Sequence, residues 1–155
     1  MGEHTQITLK SDSAEKTTLL GQRCAQFCRA GDVVLLEGAL GGGKTTFVRG
    51  FARGCGSEDP VRSPTFTLLR RYQARPVLYH MDLYRIAPDE VFSAGLDEYW
   101  YAPDTVCVIE WGEKVERYLP RFLKITFSFL ERDVRLMKLS LKGFPGRDIV
   151  VSDAP

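Results

Sequence analysis

Histidine and cysteine are scarce in this chain, at two and four of 155 residues. Cys24 and Cys28 sit four apart and would share one helix face, but a metal site needs further Cys or His ligands close by. His4 and His80 are poorly placed to supply them, so the cysteines read as buried thiols of a reducing compartment. Charge of one sign is also lacking: 21 Lys and Arg against 20 Asp and Glu leave a net +1. That balance gives no basic field for autonomous nucleic-acid binding. No apolar run is long enough to span a bilayer. The first residues, Met1-Gly2-Glu3-His4-Thr5-Gln6, are polar and carry no signal-peptide core. The expected location is therefore cytoplasmic. There are no internal repeats and no low-complexity segments.

What is present centres on one stretch, Val33-Val34-Leu35-Leu36-Glu37-Gly38-Ala39-Leu40-Gly41-Gly42-Gly43-Lys44-Thr45-Thr46. A β-branched apolar run stops at a glycine, and a helical pattern with Phe47, Val48, Phe51 and Ala52 follows. Gly38, Gly43, Lys44 and Thr45 occupy the fixed positions of G-x-x-x-x-G-K-[ST]. Average composition gives a match at one start position with a chance of about 4 in 100,000, or on the order of half a per cent over the chain. The chemistry accounts for the residue types. Gly38, Gly41, Gly42 and Gly43 let backbone N–H groups wrap a phosphate where a Cβ would intrude. The helix N-terminus adds partial positive charge and Lys44 a full one, near the β- and γ-phosphates. Thr45 offers a hydroxyl to Mg²⁺, and Thr46 donates to the α-phosphate.

The remaining elements follow from pattern. Residues 7–9 alternate as a short first strand. A helix starts with Ser11 or Ser13 as N-cap and carries Leu19, Leu20, Cys24, Phe27 and Cys28 at helical spacing. Ser13 reads either as a cap alone or as part of the lining of a nucleotide base. After the P-loop helix, Ser63-Pro64-Thr65 opens an extended segment, with a strand starting near Thr65. Thr65 is a candidate γ-phosphate sensor, although from the residues alone the plainer reading is a surface β-branched residue entering a strand. Residues 68–72 and 77–83 form a hairpin, which implies a mixed sheet. Asp82 ends the second of these strands, where a carboxylate can hold Mg²⁺, orient water or simply cap the strand. Residues 88–101 are mostly helical, broken at Gly95. Thr105-Val106-Cys107-Val108-Ile109-Glu110 is a buried parallel strand bringing Glu110 to the crevice beside the P-loop, in the form of a Walker B strand. Trp111 either stacks on a ligand or packs on the sheet edge. Residues 123–129 and 134–141 form a final hairpin around Glu131-Arg132-Asp133.

The expected architecture is α/β: a single-domain P-loop NTPase-like fold over 1–155, with a mixed central sheet flanked by helices and a C-terminal β-hairpin. Residues 1–6 and 143–155 are expected to fray.

Three segments in register with the P-loop carry a resemblance: Ser63-Pro64-Thr65-Phe66-Thr67-Leu68, His80-Met81-Asp82-Leu83-Tyr84-Arg85, and Ile109-Glu110-Trp111 followed by Leu119-Pro120. In these the chain resembles the TsaE (YjeE) family, bacterial P-loop ATPases of tRNA threonylcarbamoyladenosine biosynthesis, from about residue 11 to 141. The resemblance implies ATP as ligand, Mg²⁺ contacts at Thr45 and Glu110, and Asp82 as a functional acid near the γ-phosphate. Thr65 would lie in a switch-like loop and Trp111 beside the site, while Ser13 and Arg132 would approach the adenine. It also implies work with the TsaD and TsaB proteins, which transfer a threonylcarbamoyl group to an adenosine beside the anticodon. Ala39 stands where the family usually has Asp. Two other readings of the P-loop are a small-molecule kinase with Arg132 and Arg135 as its lid, and a non-catalytic assembly factor gated by ATP. Arg85 is the nearby candidate for an arginine finger.

Overall fold

The computed structural model describes residues 6–39 and 43–153. In chain order the elements are β1 (Gln6–Ser11), α1 (Ala14–Phe27), β2 (Val33–Glu37), α2 (Lys44–Gly54), β3 (Leu69–Tyr72), β4 (Val77–Asp82), α3 (Glu90–Ser93), β5 (Thr105–Glu110), β6 (Phe122–Glu131) and β7 (Val134–Lys142). The strands form one sheet in the order β1-β7-β6-β2-β5-β4-β3. β2 runs parallel to both β5 and β6, and β5 parallel to β4. Antiparallel pairs close both sides, β3 on β4 and β7 on β6 and β1. The mixed α/β sheet expected from the two hairpins is the observed one.

The apolar run of β2 is buried on both faces because alternate residues serve two cores. Val34 and Leu36 join Val106 and Val108 of β5 under α1 and α2, packed on Leu20, Cys24, Phe47 and Phe51. Val33 and Leu35 face the other way, with Cys107 and Ile109, toward Met81, Leu83, Val91, Leu96 and Val115. Each fully buried Leu, Ile or Phe removes enough apolar surface to contribute about 1.5–3 kcal/mol. The period of two along β2, β4 and β5 therefore fixes which side chains emerge on the α1/α2 face.

Ser13 is the N-cap of α1, accepting from the Lys16 amide at 3.0 Å. Helices α1 and α2 meet through glycine. A Cβ on Gly50 would lie 2.6 Å from the Thr18 carbonyl carbon, and one on Gly21 would lie 3.0 Å from the Phe51 amide nitrogen. No side chain could occupy either place, so backbone packs on backbone and the two helices present one shared N-terminal edge.

Two expectations are corrected. No strand starts at Thr65: the Thr67 and Leu68 amides both donate to the Pro64 carbonyl, Leu68 takes φ 66°, and β3 begins only at Leu69. The turn forms because Pro64 fixes one side while the hydroxyls of Ser63 and Thr65 are drawn to Asp82. The C-terminal segment, expected to fray from residue 143, is held across α1. Arg147 makes a bidentate pair with Asp32, at 3.1 and 3.0 Å, and also donates to the Phe27 carbonyl at 3.1 Å. Ile149 is buried, and Lys16 and Arg23 donate to the carbonyls of Asp153 and Ser152. Polar composition suggested a loose tail, but Ile149 is buried, Phe144 packs partly buried on the core, and Arg147 is paired with Asp32.

A P-loop cleft at the ends of three parallel strands

Strands β2, β4 and β5 are parallel, so their C-terminal ends gather at one edge of the sheet. Gly38 follows β2, Asp82 ends β4 and Glu110 ends β5, and the register pairs Asp82 with Glu110 directly. α2 starts at Lys44, and α1 starts beside it. The cleft between these parts is about 290 Å³, lined by Ala14, Thr17, Gly43, Lys44, Thr45, Thr46, Ser63, Thr65, Asp82, Tyr84, Glu110, Trp111 and Arg135. It lies at the carboxyl ends of the strands, where open α/β sheets bind ligands.

Lys44 is 4% exposed. Its Nζ donates to the Gly38 carbonyl at 2.7 Å and stands 4.0 Å from the centroid of the Trp111 ring. Burial lowers its pKa from the ordinary lysine value, while Glu110, Glu113 and Asp82 work to keep it charged. Gly43 takes φ 98°, a left-handed conformation that glycine adopts without strain. Asp82, also 4% exposed, accepts three hydrogen bonds. Oδ2 accepts from Thr65 Oγ1 at 2.8 Å and Ser63 Oγ at 3.2 Å, and Oδ1 accepts from the Tyr84 amide at 2.9 Å. The Ser63 and Thr65 hydroxyls are themselves 2.8 Å apart. Asp82 thus ties the loop between α2 and β3 to the floor of the cleft.

Glu110 is held from the side by His80, Nε2 to Oε2 at 2.6 Å. Trp111 turns the chain out of β5 with φ 61° and lays its ring 5.1 Å from that of Tyr84. The Tyr84 loop is pinned in turn by Lys114, whose Nζ donates to the carbonyls of Leu83, Tyr84 and Ile86 at 2.7, 3.1 and 3.0 Å.

Most of the residues singled out from sequence converge here: Gly43, Lys44, Thr45, Thr46, Thr65, Asp82, Glu110 and Trp111 all line the cleft. Gly38 contributes its carbonyl to Lys44. Gly41 and Gly42 lie outside the described residues. Ser13 and Arg132 are not among the lining residues. Ser13 spends its oxygen on the helix cap, and its neighbours Ala14 and Thr17 face the cleft instead. Arg132 gives way to Arg135, which the β1–β7 register sets beside Ser11. The Arg85 guanidinium stacks on the exposed Phe66 ring, at 4.2 Å, rather than lining the cleft. Sequence reasoning missed Ser63, His80, Thr17 and Tyr84 as site groups. His80 was detectable in principle, two residues before Asp82 on one strand and so on the same side.

The cleft offers hard oxygen donors. Among the described residues no three His, Cys, Asp or Glu side chains form a metal cage. Two carboxylates and a threonine hydroxyl instead fit Mg²⁺, which binds through one or two carboxylates with substrate phosphates completing its shell.

Comparison with known proteins agrees with this geometry. The family model described as Threonylcarbamoyl adenosine biosynthesis protein TsaE matches residues 11–137. A protein of Treponema pallidum (strain Nichols) named tRNA threonylcarbamoyladenosine biosynthesis protein TsaE is 47% identical over 113 residues, 72% of this chain and 83% of that one. The Bacillus subtilis (strain 168) protein of the same name is 44% identical over 117 residues, covering 75% and 73%. The crystal structure of YdiB from Bacillus subtilis superposes with a TM-score of 0.77 at 36% identity, covering 89% of this chain and 86% of that one. With the P-loop, the strand-end carboxylates and the sheet order in place, these matches over most of its length show that the chain belongs to the TsaE family.

Proposed function

We propose that this protein is a Mg²⁺-dependent ATPase, slow alone and stimulated by partners, that acts with the TsaD and TsaB proteins in threonylcarbamoylation of the adenosine beside the tRNA anticodon. The observation that carries the reading is the convergence of Lys44, Thr45, Asp82 and Glu110 on one cleft of a TsaE-family chain. Lys44 and the N-terminus of α2 provide positive charge for the β- and γ-phosphates. Thr45 and Glu110 are the candidate Mg²⁺ contacts, Glu110 directly or through water, with Asp82 the third. Held there by Thr45 and the carboxylates, Mg²⁺ would supply positive charge to offset that developing on the phosphate. Asp82 and Thr65 set the position of the loop that faces the γ-phosphate. Arg135 supplies the cation on the β7 side, beside Gly43.

Slow turnover follows from the placement of Arg85. Its guanidinium lies on Phe66, outside the cleft lining, so a finger would have to be moved in or delivered by a partner. The near-neutral charge fits a protein that meets tRNA through TsaD and TsaB rather than alone.

The test is ATP hydrolysis by the purified protein, alone and with TsaB and TsaD of the same organism, with Lys44→Ala as control. Partner-stimulated turnover that Lys44→Ala abolishes is the expected result. Tight nucleotide binding with no turnover under any condition would make the chain a gated binding module. Rapid turnover without partners would refute the reading and turn the search to a kinase acceptor.

A further inference from the structure

His80 is fully buried on the α1/α2 face of β4, between strand neighbours that are apolar or belong to the cleft. An apolar side chain would pack at such a position without cost. The imidazole does incur one, because among the described residues Nδ1 is buried with no hydrogen-bond partner. The other nitrogen explains its presence, since Nε2 lies 2.6 Å from Glu110 Oε2.

An ionised carboxylate accepts, so the imidazole donates from Nε2 to Glu110 Oε2. The ring is braced from behind by Tyr72, with centroids 6.4 Å apart. The Tyr72 hydroxyl is fixed on the backbone of Arg62, accepting from its N–H and donating to its carbonyl, both at 3.1 Å. β4 and β5 hold the pair in register: His80 lies opposite Val108, two residues before the Asp82–Glu110 pair, so all three polar groups emerge on one face.

We propose that His80 is a positioning residue for the metal–nucleotide site: its Nε2–H locks one oxygen of Glu110 and thereby presents the other to the cleft. The inference rests on the ATP–Mg²⁺ reading above and adds to it the group that orients the metal-side carboxylate. Partners that orient a metal's ligand are commonly worth about 10–100-fold in metal affinity.

The experiment measures binding of the non-hydrolysable analogue adenosine 5′-(β,γ-imido)triphosphate by calorimetry, with Mg²⁺ and with EDTA. The ratio of the two dissociation constants reports the metal contribution independently of turnover. Two variants separate positioning from packing. In His80→Gln the amide nitrogen can stand near the place of Nε2, whereas in His80→Asn it stands near that of Nδ1 and falls short of Glu110. Both bury a comparable amide, so a purely structural loss would affect them alike. The expected outcome is that His80→Gln keeps most of the wild-type ratio, while His80→Asn loses it by roughly tenfold or more with little change in EDTA. Wild-type ratios in both variants would overturn the proposal, and so would equal losses in both, since the donor's position would then be irrelevant. A wild-type protein whose binding is indifferent to Mg²⁺ would instead refute the ATP–Mg²⁺ reading itself, and the role of His80 with it.

Discussion

Gly50→Ala sets two rules against each other, and the structure decides the sign. Residue 50 lies in the middle of α2, where replacing Gly with Ala ordinarily stabilises a helix by about 0.8–1 kcal/mol. Here the new methyl carbon would sit 2.6 Å from the Thr18 carbonyl carbon and 2.9 Å from Thr18 Cα, and nearer still to the carbonyl oxygen. All three atoms are backbone of α1, so no side-chain rotation relieves the clash. Overpacking of a tight interior costs about 1–3 kcal/mol, and a backbone obstacle belongs at the upper end. Taking about 3 kcal/mol for the clash and about 1 kcal/mol for the propensity gain leaves a loss near 2 kcal/mol. For a chain of this size that is a fall of roughly 4–8 °C in Tm.

The site should register the same change. α1 brings Ala14 and Thr17 to the cleft and α2 brings Lys44, Thr45 and Thr46, so helices forced apart weaken nucleotide binding as well as stability. Urea unfolding gives the first quantity and calorimetric titration with the imido analogue the second. A Gly50→Ala protein as stable as the parent, or more stable, would show that the helices are not in backbone contact, and the reasoning would fail.

Two further perturbations probe the rest of the fold. Arg147→Ala leaves the Asp32 carboxylate, 8% exposed, with the Arg29 amide as its one partner among the described residues; a loss of roughly 3 kcal/mol in urea unfolding is expected. The double change Asp32→Asn with Arg147→Met should recover part of it, and an unchanged midpoint in Arg147→Ala would show that the tail contributes nothing. Alkaline pH tests the buried thiols. Burial pushes Cys24 up to about 12 and Cys55 up to about 11 from an ordinary 9.0, and raises Cys28 and Cys107 as well. Their stability contribution is complete below pH 9 and is lost as pH rises toward 11, because the unfolded chain then releases protons that the folded chain keeps. Each thiol adds up to about 1.4 kcal/mol per pH unit to the fall. Lys44, whose pKa burial lowers, works in the opposite direction as a single group. The urea midpoint should therefore drop between pH 9 and 10.5, less steeply in Cys24→Ala, and a flat profile would contradict the burial of these sulfurs.

What could be read from sequence was chemistry contiguous in the chain or repeated at a fixed period. The P-loop was legible through four residue types at fixed positions within eight residues, and β2 and β5 announced themselves as apolar runs too rich in β-branched residues to face water. The two hairpins, β3–β4 and β6–β7, needed only short connections. Less legible were contacts between elements with no shared period. Nothing local marks Gly21 and Gly50 as points of helix contact, because each looks like an ordinary helix-weakening glycine until the other helix is placed. The strap formed by Arg147 and Ile149 suffers the same way: its sequence is polar on average, and only the position of Asp32 shows what the arginine is for.

That Arg135 lines the cleft, three residues beyond the Arg132 singled out from sequence, shows how register decides chemistry. Both arginines flank the same turn, and sequence alone favours the residue at its tip. β7, however, pairs Arg135 with Ser11 on β1 and with Phe129 on β6. Those pairings hold it next to the start of α1, where its side chain meets Gly43. The same logic works at the other wall. Asp82 and Glu110 come from segments that are distant in sequence, yet the parallel register of β4 and β5 sets them opposite one another. His80 follows from that register as well, since a residue two positions back on the same face can reach the neighbouring strand's tip diagonally. A one-residue slip of β4 would turn His80 and Asp82 into the opposite core and bring Met81 to the cleft. The apolar alternation of Leu78, Met81 and Leu83 around these polar groups opposes that slip, so the packing of β4 is also what assembles the acidic wall of the site.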